Sequence, residues 1–103
     1  MKLIYISHPY TGNEAENKKK AARIQRKLQE ADIHNCYINP LAAFEALDGM
    51  SYTSILNCCL RLLQKCDEMI VAPGWEKSRG CMCECECAME WGMKVKFLKN
   101  TEA

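Results

Sequence analysis

Residues 74–92 read GWEKSRGCMCECECAMEWG, with cysteines at 81, 83, 85 and 87 and glutamates at 84, 86 and 90. Such a segment offers three chemistries: thiolates around a metal, a disulfide cluster, or a carboxylate that is put to use. Read as a helix over 81–92, it turns by about 100° per residue. Measured from Glu84, Cys81 and Cys85 then fall about 60–100° to one side, and Cys83 and Cys87 about 60–100° to the other. Four thiolates on diverging flanks cannot close a tetrahedron, so a metal site here requires an irregular loop instead of a helix, and none is expected. Cysteines two apart on a helix also fail the geometry of a disulfide.

The carboxylates are more telling. Glu86 and Glu90 share one side and read as a solvated face. Glu84 falls among Ala88, Trp91, Cys81 and Cys87, on the apolar side. A carboxylate there is costly unless it is paired, open to a cleft, or used. The plainer reading is a glutamate near a helix start, stabilised by free backbone N–H groups. Just upstream, Ser78 and Gly80 stand where a strand-to-helix loop meets a helix N-terminus. Free N–H groups, a hydroxyl and a glycine make an anion cradle. Ser78 also reads as an N-cap, and one residue can do both.

The elements that must position these groups follow from periodicity. KLIYIS (2–7) is a short buried strand, and SHPYTGN (7–13) a loop broken by Pro9 and Gly12. Asn13 with Glu16 fits a capping box. The helix it opens runs to about Ala31, with Ala21, Ile24, Leu28 and Ala31 on one face. NCYINP (35–40) is a second strand and LAAFEALD (41–48) a short helix. A third helix spans 52–66, with Ile55, Cys59, Leu62, Leu63 and Cys66 inward. EMIVAP (68–73) and KVKFL (94–98) are the third and fourth strands. The order β-α-β-α-α-β-α-β predicts an α/β fold: a small doubly wound, flavodoxin- or Rossmann-like parallel four-stranded sheet with helices on both faces. Ligands bind beyond the carboxyl ends of such strands, where loops 7–12, 39–40 and 73–80 converge.

The totals bound the rest. A chain of 103 residues, 49% apolar, makes one domain over 1–103. A net charge of +1 provides no field to recruit nucleic acid or membrane. Lys18, Lys19, Lys20, Arg23, Arg26 and Lys27 read as one solvated helix face. Met1-Lys2 leads straight into LIYI, without the charged and apolar regions of an export signal. The expected location is cytoplasmic, with eight reduced thiols that pack as small apolar groups.

YISHPYTG (5–12), then CDEMIVAPGWEKSRG and a helix carrying Glu84, Ala88 and Gly92, resembles the nucleoside 2-deoxyribosyltransferase-like superfamily. The match is strongest to an uncharacterised small-protein branch with a P-G-W-x-x-S-x-G-x-x-x-E pattern. The resemblance covers nearly the whole chain. It implies N-glycosidic bond cleavage or transfer on a nucleoside or nucleotide, of deoxyribosyltransferase or deoxynucleoside 5′-monophosphate N-hydrolase type. Glu84 would be the nucleophile that attacks the anomeric carbon, and Tyr5 would hold its carboxylate. Ser7, His8, Pro9, Tyr10 and Gly12 would line the sugar or phosphate side. Ser78 and Gly80 would bind a 5′-hydroxyl or 5′-phosphate, and Trp75 would flank the base or simply pack. No cofactor is implied. The partner is a small molecule, and a homo-oligomer is expected because such pockets are completed by a neighbouring subunit, with Met89, Trp91 and Met93 as apolar surface. One departure matters. The position that in those enzymes carries an aspartate to handle the proton on the base is Cys59, a poor acid when buried. His8 and Asp48 are the remaining proton donors nearby. The alternative reading is a non-catalytic nucleotide-binding or sensing module on the same scaffold.

Overall fold

The computed structural model describes all 103 residues, Met1–Ala103. Strands β1 (Leu3–Ser7), β2 (Cys36–Ile38), β3 (Glu68–Val71) and β4 (Lys94–Phe97) form one sheet in the order β2-β1-β3-β4. Every neighbouring pair is parallel. The helices are α1 (Glu14–Ala31), α2 (Pro40–Ala43), α3 (Tyr52–Gln64) and α4 (Arg79–Glu90). Single 3-10 turns occupy Glu45–Leu47, Trp75–Lys77 and Asn100–Glu102. This is the expected doubly wound α/β architecture. None of its helices is long and apolar enough to cross a membrane.

Alternation along the strands builds two cores. Ile4, Ile6 and Ile70 point one way, onto Ile24 and Leu28 of α1. Tyr5, Met69 and Val71 point the other way, onto Leu63 of α3 and Cys85 and Ala88 of α4. Helices cover both faces, so both sets of strand positions are apolar, as an enclosed parallel sheet requires. The register sets Tyr5 beside Met69 and Ser7 beside Val71. The chain reverses its winding direction between β1 and β3, and the loops after these two strands meet there. Gly74 carries a left-handed φ of 90°, a conformation only glycine adopts freely, and a Cβ on it would stand 3.6 Å from Pro9 Cγ.

Element ends differ from expectation for local reasons. The second strand stops at Ile38 because Asn39 caps α2, its Oδ1 accepting from Leu41 N at 3.0 Å. Pro40 then takes the first helical position, where its missing N–H costs nothing. The stretch 41–48 is not one helix, since α2 ends at Ala43 and a 3-10 turn follows. The capping box at Asn13 does not form: its side chain makes no cap bond. The loop is closed by Glu14, whose Oε2 accepts from Gly12 N at 2.8 Å, and by Asn17, whose Nδ2 donates to Tyr10 O at 2.9 Å. Ala31, expected inside, is exposed in the last turn of α1. Helix α4 starts at Arg79 because Ser78 caps it, and its C-cap is Trp91, ahead of a left-handed Gly92. Trp91 therefore leaves the apolar stripe and is exposed. The buried stripe of α4 is Cys81, Glu84, Cys85 and Ala88, the i, i+3, i+4, i+7 spacing of one helix face.

Candidate active site

Glu84 sits six residues into α4, past the first turn, and its carboxylate bonds to the sheet instead of to helix N–H groups. Tyr5 OH donates to Oε2, and Ser7 Oγ donates to Oε1 at 2.7 Å. Both donors leave β1 on the same face, two residues apart, and both are fully buried. Glu84 is only 5% exposed. The Ser7 hydroxyl, which the resemblance puts on the sugar side, donates to the carboxylate. Two strand residues thus clamp one helix residue across the α4 side of the sheet. It is a buried polar cluster in which no side-chain atom lacks a partner.

The electrostatics follow from burial. Desolvation pushes the Glu84 carboxyl above its ordinary range, against the pull of the Tyr5 and Ser7 hydrogen bonds. Burial, then the charge of Glu84 and the neighbouring Cys59, hold the Tyr5 phenol well above its usual value. Tyr5 therefore stays protonated and serves as a donor. A thiol flanks each hydroxyl. Cys59 lies beside Tyr5, and burial with the charge of Glu84 raises it to about 11. Cys81 lies beside Ser7 and is raised chiefly by burial. Neither thiol is an acid near neutral pH.

The other proposed residues spread around this clamp. Ser78 caps α4, its Oγ accepting from Cys81 N at 3.2 Å. Gly80 follows in the first turn of the helix that carries Glu84. His8 Nδ1 lies 2.7 Å from the Pro9 carbonyl, so Nδ1 carries the proton and donates. Burial lowers the His8 pKa, opposed by that bond and aided by Lys20 of α1. At neutral pH His8 is uncharged and offers an acceptor at Nε2, with no proton to give. Asp48 accepts from Tyr10 OH at 2.9 Å and pairs with Lys18 Nζ at 2.6 Å. The Lys18 bond first, then Tyr10, keep its carboxyl below the usual range, so Asp48 anchors the loop and is no proton donor. Tyr10 and Gly12 are thereby tied to the α1 side. Trp75 is half-buried, packed on Phe97 with ring centroids 5.0 Å apart.

Two residues at this end escaped the sequence reading. Tyr52 opens α3, and its hydroxyl would stand 3.5 Å from a Cβ at Gly80. The Arg79 guanidinium lies 5.4 Å from the centre of its ring. Nothing in the local sequence links position 52 with position 79; only the side-by-side packing of α3 and α4 does. All eight cysteines are free thiols, and no three His, Cys, Asp or Glu side chains are grouped to hold a metal.

A family model described as a domain of unknown function (DUF4406) matches residues 2–97. No curated protein matches the chain. Among solved structures, the fold is similar to that of a 2-desoxiribosyltransferase from Leishmania mexicana, with a TM-score of 0.66 and 18% identity. The alignment covers 95% of this chain and 64% of that one, so this chain spans less than two thirds of its length. At that identity the likeness speaks for the fold alone.

Proposed function

The chain belongs to the DUF4406 family, and from that starting point we propose that it cleaves or transfers the N-glycosidic bond of a nucleoside or nucleotide, with Glu84 as the nucleophile. The observation that carries this reading is the clamp: a buried carboxylate whose two oxygens each accept one hydroxyl hydrogen bond, from Tyr5 and Ser7. Such a group is held in one orientation and keeps lone pairs for attack. One carboxylate oxygen bonds to the anomeric carbon as the carbon–nitrogen bond breaks. The bonding pair leaves with the base, which takes up a proton from water. The transition state has oxocarbenium character, which a fixed negative charge stabilises before it bonds. Water or a second base then attacks the glycosyl ester and frees Glu84. The first turn of α4, with the Ser78 hydroxyl and Gly80, faces the 5′ end of the sugar and its hydroxyl or phosphate. The loop His8–Gly12 and Trp75 line the remaining sides.

A second reading has its own support. Cys59 beside Tyr5 supplies no proton for a departing base, and neither do His8 and Asp48. A module that binds a nucleotide without cleaving it fits that deficit. A chromatographic screen of nucleosides and 5′-monophosphates separates the two. Free base accumulating with wild-type protein is the expected result. Saturable binding with no base released from any compound sinks the enzyme reading in favour of the binding module.

The outer face of α4 exposes Met82 and Met89, and Trp91 follows at the helix end. A second copy packs on this apolar surface in the proposed assembly. Light scattering at micromolar concentration should give a multiple of the 11.8 kDa chain mass, and the mass of a single chain would count against it.

A further inference from the structure

The four tyrosine hydroxyls differ in what they meet. Tyr5 donates to Glu84, Tyr10 to Asp48 at 2.9 Å and Tyr37 to Asp32 at 2.9 Å. Tyr52 alone has no hydrogen-bond partner in the protein. It is the first residue of α3, directly after the cap at Ser51, whose Oγ accepts from Ser54 N at 3.2 Å. Its ring is held by the Arg79 guanidinium. Its hydroxyl reaches across the first turn of α4, toward Gly80. Arg79 and Gly80 both belong to the helix that carries Glu84, and the negative charge of Glu84 is felt at the Tyr52 phenol. Tyr52 is 43% exposed, and its hydroxyl lies at the helix turn that leads to Glu84.

We propose that Tyr52 contacts the ligand bound at Glu84, donating a hydrogen bond from its hydroxyl to a polar atom of the sugar or base, and that Arg79 positions its ring for this. The inference rests on the reading of Glu84 as the substrate site. Burial is the main cause that raises the Tyr52 pKa, so the phenol keeps its proton at neutral pH and remains a donor. Lacking an internal partner, the hydroxyl breaks no protein hydrogen bond when it turns to a ligand, and only water has to leave. The ring stands at the α3 side of the site, against Arg79 of α4. Tyr52 is therefore a residue that selects the ligand, set apart from the bond-making group.

The test compares wild type with Tyr52→Phe by calorimetric titration of nucleosides and 5′-monophosphates, together with analogues that each lack one polar group. The Phe variant is expected to bind about tenfold more weakly, the size of one ligand hydrogen bond. Its melting midpoint without ligand should not change. One analogue should bind wild type and variant equally, which identifies the atom that Tyr52 contacts. Affinities within twofold of each other across the panel overturn the proposal. A weaker affinity accompanied by a lower ligand-free melting midpoint also overturns it, because the effect is then structural. The nucleophile reading is judged separately, by base release from Glu84→Gln. If that reading falls while nucleotides still bind, the Tyr52 comparison stands on affinity alone. If nothing in the panel binds wild type, both proposals fall.

Discussion

Replacing Glu84 with Gln is expected to cut base release by about 10³-fold or more, roughly 4 kcal/mol of barrier, while ligand affinity changes by less than about threefold. The amide keeps the shape and one acceptor, so the cluster with Tyr5 and Ser7 can re-form. It lacks the charge that attacks. Wild type incubated with a slow substrate should gain the mass of one glycosyl group on the peptide containing Glu84. The Gln variant should gain none. Equal rates of base release from the two proteins, on a confirmed substrate, would show that another group attacks. The same substitution carries a second, thermodynamic expectation. Burial raises the Glu84 pKa in the folded protein. A group raised in this way contributes stability that is fully present below its unfolded pKa and is lost as pH rises through the folded pKa. Above its folded pKa the wild-type fold holds an ionised carboxylate at a cost. Gln bears no charge, so its melting temperature should exceed that of wild type at neutral pH. The gap should narrow as pH falls and Glu84 takes up its proton. A Gln variant that melts lower than wild type at neutral pH would mean that the hydroxyl bonds outweigh desolvation.

Tyr5→Phe should lower kcat/KM by roughly 10–100-fold, about 1.4–2.7 kcal/mol, without removing the nucleophile. The lost hydroxyl leaves Glu84 Oε2 buried with no donor, which should destabilise the fold by about 1–3 kcal/mol at neutral pH. The sign of the pH effect distinguishes this role from simple packing. The Tyr5 bond pulls the Glu84 pKa down against burial. Without it the pKa rises further, and the acid limb of the activity profile moves to higher pH. The stability deficit should be largest at neutral pH and shrink on acidification, because protonated Glu84 no longer needs the donor. A residue that only filled space would lower activity at every pH alike and leave the limb in place. An unmoved acid limb in Tyr5→Phe would therefore assign Tyr5 to the core alone.

The Glu84 side chain belongs to a stripe whose 3.6-residue period is visible in Cys81, Ala88 and their spacing, so its place on the apolar face is legible without coordinates. The residues that meet it are less so. A period of two puts Tyr5 and Ser7 on one face of β1, but not opposite any given turn of α4. The resemblance to deoxyribosyltransferases points to Tyr5 as the holder of the carboxylate. The same resemblance puts Ser7 on the sugar side, and the structure gives its hydroxyl to Glu84. The cap of α1 shows the same limit at short range. Asn13 and Glu16 have the right spacing for a box, yet Glu14 and Asn17 close the loop, because several polar side chains compete for the same few N–H and carbonyl groups.

By itself, the sequence determined the class of fold, the four strands and the helices between them, and the carboxylate set among apolar neighbours. These are consequences of local periodicity, in which each residue answers to others three, four or two positions away. Only the tertiary structure decided that Ser7 shares the carboxylate with Tyr5, that His8 and Asp48 have no proton to offer, and that Tyr52 leans over the start of α4. Those outcomes depend on the order β2-β1-β3-β4 and on α3 and α4 packing side by side. Packing brings Tyr5 and Glu84 together across 79 positions, and burial then sets which groups hold their protons.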